Sequence, residues 1–369
     1  MPTIGITMGD PAGIGAEVIA KALADHSLRE RGNFIVYGMH EQIAYAADLA
    51  ELMPYWIRMP HVDVARVVAS GSTPWTGSTV VIADFDECFL EGRLARKPTA
   101  EGGRCSMRFL DEAIADARTG RVDALVTGPI NKTAWEMAQF PYAGHTELLA
   151  ARCKARHVTM MFTGGPLRVA LASIHLPLFE LRNKFTIGLV FQPIDHLHQA
   201  LRDWFGVPRP RIGVAALNPH AGENGRFGDE ELRVIQPAVE MALHAGIEAS
   251  GPHAADTLFW RAAQGEFDGV VAMYHDQALI PIKLLAFDRA VNVTLGLPIV
   301  RTSPDHGTAY DIAGKNAADP GSMKAAIRLA VDLAAQRRRN GPSAGPDAQA
   351  RPCSFRWPQV TRTSIDDVE

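Results

Sequence analysis

Short apolar runs alternate along the chain with segments whose apolar residues recur at helical spacing. The strand-like runs are residues 3–8, 34–37, 79–82, 124–126 and 159–162, and two of the helical patterns are residues 104–118 and 132–139. The runs are continuously apolar instead of alternating with polar residues, which is typical of strands that are buried on both faces. The sequence therefore predicts an α/β protein whose mainly parallel sheet is covered by helices.

Three later strand-like runs each end in a histidine. The three histidines are His175, His220 and His275. In a parallel α/β sheet the ligand crevice lies outside the carboxyl ends of the strands, so three imidazoles at strand ends can converge there. Three imidazoles are a suitable ligand set for a divalent metal with open positions for substrate or water. A single such histidine is more often a structural hydrogen-bonding residue, and from the residues alone we weigh the two interpretations equally.

The run that ends in His275 is followed by further polar residues of the kinds found in binding sites. Asp276 follows directly, and Lys283, Asn292 and Arg301 come within the next few dozen residues. Ionisable groups concentrated after a buried strand indicate a binding or catalytic site. The glycine-rich loop at residues 218–228 lies after another of the histidine-ending strands, where loops on a rigid sheet often carry function.

Two turns that open helical segments could receive an anion. Residues 127–132 and 143–147 would present backbone N–H groups, and Lys132 or His145 would supply positive charge. Helix capping by Asn131 and Thr146 explains the same pattern equally well.

The glycines after the first strand do not match a dinucleotide fingerprint. Gly9, Gly13 and Gly15 have three residues in the first gap, and no third glycine of the G-x-G-x-x-G pattern follows Gly15. A tight turn with Asp10 near a helix start is the simpler interpretation, with phosphate contact as the alternative.

The composition of the chain indicates which kinds of partner it binds. The 369 residues are 47% hydrophobic and 21% charged with a formal charge of −4, which argues against a nucleic-acid surface and favours small-molecule partners or a second copy. Four scattered cysteines form no disulfide framework, and we expect neither a signal peptide nor a membrane span, so the expected location is the cytoplasm. We expect residues 1–336 to form one unit of two interleaved α/β subdomains, and residues 337–369 to form a weakly ordered tail.

Taken in order, the motifs resemble the 4-hydroxythreonine-4-phosphate dehydrogenase family of pyridoxal-phosphate biosynthesis. The matching stretches are residues 9–15, 128–132, 144–147, 175–178, 218–223, 273–277, 291–298 and 301–309. The resemblance implies an isocitrate/isopropylmalate-dehydrogenase-like fold with its site in a cleft between two subdomains. It also implies a homodimer with active sites at the interface, and NAD-dependent oxidation of a secondary alcohol assisted by a divalent metal.

The resemblance also implies roles for particular residues. The metal ligands would be His175, His220 and His275, with the last supplied by the second subunit. The substrate contacts would be His145, Thr146, Lys283, Asn292 and Arg301. The group that takes the hydroxyl proton would be one of His145, Lys283 and Asp256, and no residue is assigned to NAD.

The residue types suit this chemistry. A metal on three imidazoles can lower the pKa of a substrate hydroxyl and stabilise the enolate formed when a β-keto acid loses carbon dioxide. Imidazole ligands favour zinc, with cobalt, magnesium or manganese as alternatives. Arg301 and Lys283 suit an anionic end of the substrate, the arginine through its bidentate fork.

The resemblance is less specific for the substrate than for the family. Residues 179–185 and 280–285 and the basic tail depart from the family pattern. The expected substrate is 4-phosphohydroxy-L-threonine, whose oxidation product would be decarboxylated. Phospho-D-threonate, D-erythronate phosphate or an aromatic cis-dihydrodiol of the terephthalate type would use the same chemistry. A metal-dependent phosphohydrolase and a non-enzymatic binding module are the alternatives from other classes.

Overall fold

One twelve-stranded sheet runs through the computed structural model, which describes residues 1–70, 79–88 and 96–340. Its strand order is β3-β4-β2-β1-β5-β12-β11-β6-β7-β10-β8-β9. The strands are β1 Thr3–Thr7, β2 Asn33–Gly38, β3 Ile57–Pro60, β4 Val80–Asp84, β5 Ala124–Thr127, β6 Thr159–Gly164, β7 Leu167–Leu171, β8 Ile212–Ala215, β9 Ala249–His253, β10 Gly269–Ala272, β11 Val291–Leu295 and β12 Val300–Pro304. Only around β6 and β11 do neighbours run antiparallel, since β11 pairs that way with β6 and β12, and β6 with β7. The prediction of a mainly parallel sheet is confirmed.

Helices connect the strands and cover both faces. They are α1 Gly15–Leu23, α2 His26–Arg29, α3 His40–Leu49, α4 His61–Ala69, α5 Ala100–Arg118, α6 Lys132–Met137, α7 His145–Cys153, α8 Leu178–Lys184, α9 Ile187–Asp203, α10 Gln236–His244, α11 Ala255–Ala263, α12 His275–Ala286 and α13 Gly321–Arg339. Among the described residues, no helix has the length and apolar character that crossing a bilayer requires.

The predicted runs coincide with strands because apolar side chains fill both faces of the sheet. Every residue of β4 and β5 is buried. The five runs of the opening pattern became β1, β2, β4, β5 and β6, and the predicted helices became α5 and α6. The proposed start of the tail falls inside α13, which continues to Arg339, and residues 341–369 lie outside the described residues.

Two hydrophobic clusters divide the core. The larger one includes buried residues of most strands, among them β1, β2, β4, β5 and β12, and of the helices that pack on them. The smaller one joins β7 and β10 to α11 and α12, and includes Val169, Ala272 and Ile282. Ile282 is buried in this cluster, so one face of α12 packs against the sheet. The start of α12, at His275, is thereby held near the end of β10.

The turn after β1 requires glycine for steric reasons. Gly9 has φ +78°, and a Cβ on it would lie 2.2 Å from the carbonyl oxygen of Pro129. A Cβ on Gly15 would lie 1.9 Å from the carbonyl oxygen of Met8. Asp10 accepts from the backbone N–H of Ala12 at 2.9 Å, which supports the tight-turn interpretation of this loop.

Candidate active site

The three strand-end histidines follow three adjacent parallel strands. β10 pairs in parallel with β7 on one side and with β8 on the other. His175 lies four residues after β7, His275 is the first residue of α12 directly beyond β10, and His220 lies in the turn that follows β8. The topology therefore delivers all three residues to one edge of the sheet, as the sequence pattern predicted.

Two of these histidines lie together. The ring centroids of His175 and His275 are 6.1 Å apart, with an angle of 38° between the planes. Burial lowers the pKa of His175, and the charges of Lys132 and His275 lower it further. His175 is therefore neutral near pH 7, which is the protonation state of a metal ligand. His275 Nδ1 lies 2.8 Å from Asp276 Oδ1, so its Nε2 is the nitrogen left for a ligand.

His220 lies in a turn with an unusual backbone conformation. Five consecutive residues, 220–224, have left-handed φ and ψ angles, with His220 at φ 52° and ψ 32°. Glu231 stabilises the approach to this turn, because its Oε1 accepts from the backbone N–H groups of Leu217 and Asn218 at 2.9 and 2.6 Å. Left-handed residues other than glycine cost roughly 1 kcal/mol or more each, and such strain is concentrated at functional sites. Within the described part of the chain, no three His, Cys, Asp or Glu side chains are grouped to hold a metal.

Arg301 belongs to a second group of polar residues. It lies on β12, three strands from β7 in the sheet order. Its guanidinium is buried, and its partners are two hydroxyls: Nη1 donates to Thr294 Oγ1 at 2.9 Å, and Nε and Nη2 donate to Thr127 Oγ1 at 3.1 and 2.6 Å. Burial lowers the pKa of Arg301 to about 9. A buried guanidinium that bonds hydroxyls instead of a carboxylate carries uncompensated charge, which favours an anionic ligand.

His145, the first residue of α7, lies within electrostatic reach of this guanidinium. Burial holds its pKa well below the usual value, and the charge of Arg301 lowers it further, so the imidazole is neutral. Part of the ring remains accessible, but Nε2 is buried and finds no hydrogen-bond partner among the described residues. The edge of Trp135 packs against the ring, with centroids 5.8 Å apart. An orphaned ring nitrogen in a fixed orientation is suited to meet a ligand.

Asn292 shares the face that carries Arg301. It lies two residues before Thr294 on β11 and opposite Ser303 on β12. Its Oδ1 is buried and lacks a partner among residues 1–70, 79–88 and 96–340. Among the predicted substrate contacts, His145 and Asn292 therefore have unpaired buried polar atoms, and Arg301 has an uncompensated charge.

The two turns that could cap helices or bind an anion differ in detail. Asn131 Oδ1 accepts from the N–H of Ala134 at 3.0 Å and caps α6. Thr146 does not cap α7, because the helix begins one residue earlier, after Gly144 with its extended backbone. Thr146 instead occupies the first turn, beside His145.

The two remaining predicted residues, Lys283 and Asp256, lie on helices α12 and α11. Lys283, on α12, forms an ion pair with Asp305, and its ammonium lies 5.4 Å from the ring centroid of Phe287. Asp256 is exposed in the first turn of α11 and has no charged or hydrogen-bonding partner in the described structure.

Three nearby charged residues are absent from the set of site residues that the sequence predicted. Lys132 and Glu147 both act electrostatically on His175, and Asp305 neutralises Lys283. Lys132 and Glu147 lie in the two helix-opening turns, so their position in those turns was the available signal. Asp305 follows β12 directly, at the same sheet edge.

Fold and site together define an α/β enzyme with a histidine pair and a separate group of polar residues around the buried Arg301. Comparison with known families identifies the class of enzyme. Residues 31–330 match the model of the family described as pyridoxal phosphate biosynthetic protein PdxA, and the chain belongs to that family.

The family's characterised members are similar over nearly their whole length. A relative named 4-hydroxythreonine-4-phosphate dehydrogenase from Geobacter metallireducens is 45% identical over 344 residues, which are 92% of this chain and 98% of the relative. A relative named D-threonate 4-phosphate dehydrogenase from Cupriavidus necator is 41% identical over 339 residues, 91% of this chain and 98% of the relative. The crystal structure of 4-hydroxythreonine-4-phosphate dehydrogenase from Klebsiella pneumoniae has a TM-score of 0.81 at 37% identity, covering 90% of this chain and 98% of that one.

These similarities confirm three predictions. The family resemblance drawn from the motifs is correct, the chain has the fold that the resemblance implied, and it is an oxidoreductase related to dehydrogenases.

Proposed function

We propose that the chain is an NAD-dependent dehydrogenase that oxidises the secondary alcohol of 4-phosphohydroxy-L-threonine, and that the resulting β-keto acid loses carbon dioxide. The observation that carries the proposal is the buried, uncompensated guanidinium of Arg301 with two unpaired polar atoms on the same pocket, His145 Nε2 and Asn292 Oδ1. The phosphate of such a substrate supplies the negative charge that Arg301 lacks, and the hydroxyl and amino groups of the substrate supply hydrogen-bond donors for the unpaired atoms.

The chain's own residues would bind and orient the substrate. Arg301 would receive the phosphate through its guanidinium N–H groups, and Asn292 would complete the contacts to the same end. Thr146, in the first turn of α7, would add its hydroxyl and the positive end of the helix dipole. Fixing one end of a small substrate in this way positions its alcohol for hydride transfer.

The identity of the proton acceptor is the second part of the proposal. Of the three candidates, Asp256 is exposed on α11 and Lys283 is in an ion pair. His145 is neutral, and its Nε2 is buried without a partner. These properties favour His145 as the group that takes the hydroxyl proton, because a base must be unprotonated and within reach of the substrate.

A divalent metal, with zinc favoured, is proposed at His175, His220 and His275. The donor set fits, because His175 is neutral and the two adjacent rings are 6.1 Å apart. His175 and His275 would hold the ion with two imidazole nitrogens, and His220 would supply the third. Such an ion would lower the pKa of the substrate hydroxyl and polarise its carbonyl product.

We propose a homodimer with the site at its interface. Five exposed apolar side chains lie on or just after two helices, one that follows His175 and one that begins at His275: Leu178 and Phe179 on α8, and Ile280, Leu284 and Phe287 on and just after α12. We call these five side chains the apolar face. One chain brings only two of the three imidazoles together, so the third would come with the second copy. The resemblance assigns that role to His275, and the proximity of His275 to His175 makes His220 the alternative.

The D-threonate 4-phosphate dehydrogenase relative supports a second substrate, phospho-D-threonate, since its 41% identity is close to the 45% of the Geobacter relative. Both substrates carry a phosphate and a secondary alcohol, so the same pocket would accept either.

A substrate screen with defined metals tests the proposal. Purified chain is stripped with chelator, refilled with zinc, cobalt, magnesium or manganese, and assayed for NADH formation from 4-phosphohydroxy-L-threonine, phospho-D-threonate, D-erythronate phosphate and a terephthalate-type cis-dihydrodiol. We expect NADH from the first substrate in a metal-dependent reaction. Absence of NADH from every phosphorylated substrate, or phosphate release without nucleotide, would contradict the proposal and indicate a different class of enzyme.

Metal binding is measured separately from activity. Calorimetric titration with zinc, and the visible spectrum of a cobalt-loaded sample, report the ligand set directly. His175→Ala should abolish both signals. Mixing His220→Ala with His275→Ala subunits tests sharing: recovery of one site per mixed dimer supports a ligand from the second copy, and no recovery contradicts it.

A further inference from the structure

The carboxylate of Asp305 lies against the ammonium of Lys283, a residue that the proposed function places at the substrate. The Lys283 side chain extends from α12, and Asp305 Oδ2 contacts its Nζ as an ion pair without the alignment of a directed hydrogen bond. The two side chains are 36% and 21% exposed, so solvent screens the pair only in part.

Asp305 is itself held in place by backbone contacts. Its N–H donates to Ser322 Oγ at 3.2 Å, and the Ser322 hydroxyl donates to the carbonyl of Ala290 at 3.2 Å. Ser322 lies in the first turn of α13, and Ala290 directly precedes β11. Asp305 also follows directly after β12, the strand that carries Arg301. The backbone of Asp305 is thus held between β12 and α13 and carries a short side chain, whereas the lysine has a long, flexible side chain.

The ion pair affects the charge that the site offers to an anion. Arg301 bonds the hydroxyls of Thr127 and Thr294, whereas Lys283 is paired with Asp305, so of these two described cations only Arg301 lacks a negative partner. We propose that Asp305 is a positioning residue that directs Lys283 toward the reacting end of the substrate, and that its charge keeps Lys283 from serving as a second general anion site. This proposal rests on the proposed function for the identity of the substrate.

The proposal predicts two effects of opposite sign for Asp305→Asn. Removal of the negative charge frees the ammonium, so we expect inorganic phosphate to bind about three- to tenfold more tightly. Loss of the anchor lets the lysine side chain move, so we expect kcat to fall at least tenfold, roughly as for other losses of positioning, with little rise in KM. General structural damage would weaken phosphate binding and catalysis together, and would not produce this pair of results.

The experiment uses the full chain. Calorimetry gives the Kd for inorganic phosphate, steady-state kinetics gives kcat and KM separately, and thermal unfolding confirms that each variant is folded. Asp305→Glu keeps the charge and shifts its position, so its phosphate affinity should stay at the wild-type level while kcat recovers only in part. Asp288→Asn removes an equally charged but exposed residue that pairs with Arg289 beyond α12, and should change neither quantity.

A double variant identifies the source of the gain. In Lys283→Gln with Asp305→Asn, the tighter phosphate binding should disappear, because the freed ammonium is absent. Unchanged or weaker phosphate binding in Asp305→Asn would overturn the proposal. The phosphate measurements need no turnover, so they decide the role of Asp305 even if the wild-type chain fails to oxidise the proposed substrate.

Discussion

Arg301 donates two hydrogen bonds to the hydroxyl of Thr127, from Nε at 3.1 Å and from Nη2 at 2.6 Å. A neutral hydroxyl orients the guanidinium but does not balance its charge. The pocket therefore combines a fixed fork with uncompensated charge, an arrangement that serves anion binding at the expense of stability.

Replacement of Arg301 by Met should separate these two properties. Because the buried charge is destabilising without an anion, and its pKa of about 9 reflects that cost, we expect the variant to be more stable by about 1–4 kcal/mol. Chemical denaturation measures the free energy of unfolding. Phosphate should raise the melting temperature of the wild type and leave that of the variant unchanged; a variant that is both less stable and still responsive to phosphate would contradict the assignment.

Acid should destabilise the fold partly through His145. Its folded-state pKa is depressed, so below the usual histidine pKa of about 6.5 the unfolded chain binds a proton that the folded chain does not. Stability is therefore lost as the pH falls below that value. In His145→Gln the loss between pH 7 and pH 5 should be smaller by about 1–2 kcal/mol. Denaturation curves at several pH values test this, and an unchanged pH slope would refute it.

Helix α5 packs against α6 through a glycine. A Cβ on Gly103 would lie 2.1 Å from the carbonyl oxygen of Ala134, so Gly103→Ala must displace backbone and should destabilise the fold by about 2 kcal/mol or more. Gly188 in α9 is the matched control, because its Cβ would meet nothing within 4 Å. Gly188→Ala should stabilise by about 0.5–1 kcal/mol through helix propensity. Equal effects of the two substitutions on thermal unfolding would argue against this packing.

The apolar face should be an interface in solution. Leu284 is 83% exposed in the single chain, and Leu284→Glu would place a charge in the proposed dimer contact. We expect a monomer with little dehydrogenase activity and a nearly unchanged far-ultraviolet spectrum. Leu243→Glu, at a leucine that is 54% exposed on α10, should remain dimeric and active. Sedimentation gives the oligomeric state, and a dimer that survives Leu284→Glu would exclude this face.

The sequence predicted the strands and the histidine positions because both depend on local patterns. Apolar runs fixed β1, β2, β4, β5 and β6, and the runs that end in His175 and His275 did become parallel neighbours. The insertion of β11 between β12 and β6 was not predicted. It depends on pairing between residues far apart in the chain, such as Asn292 with Phe162, which no local periodicity reports.

The sequence by itself determined the α/β class, the family, and the identity of the polar residues that follow the buried strands. Only the tertiary structure decided how those residues are grouped: His175 lies with His275, His145 lies within electrostatic reach of Arg301, and Lys283 pairs with Asp305. The reason is physical. Burial and periodicity are properties of neighbouring residues, whereas charge compensation depends on distances that are set by strand order and by the direction in which each helix leaves the sheet.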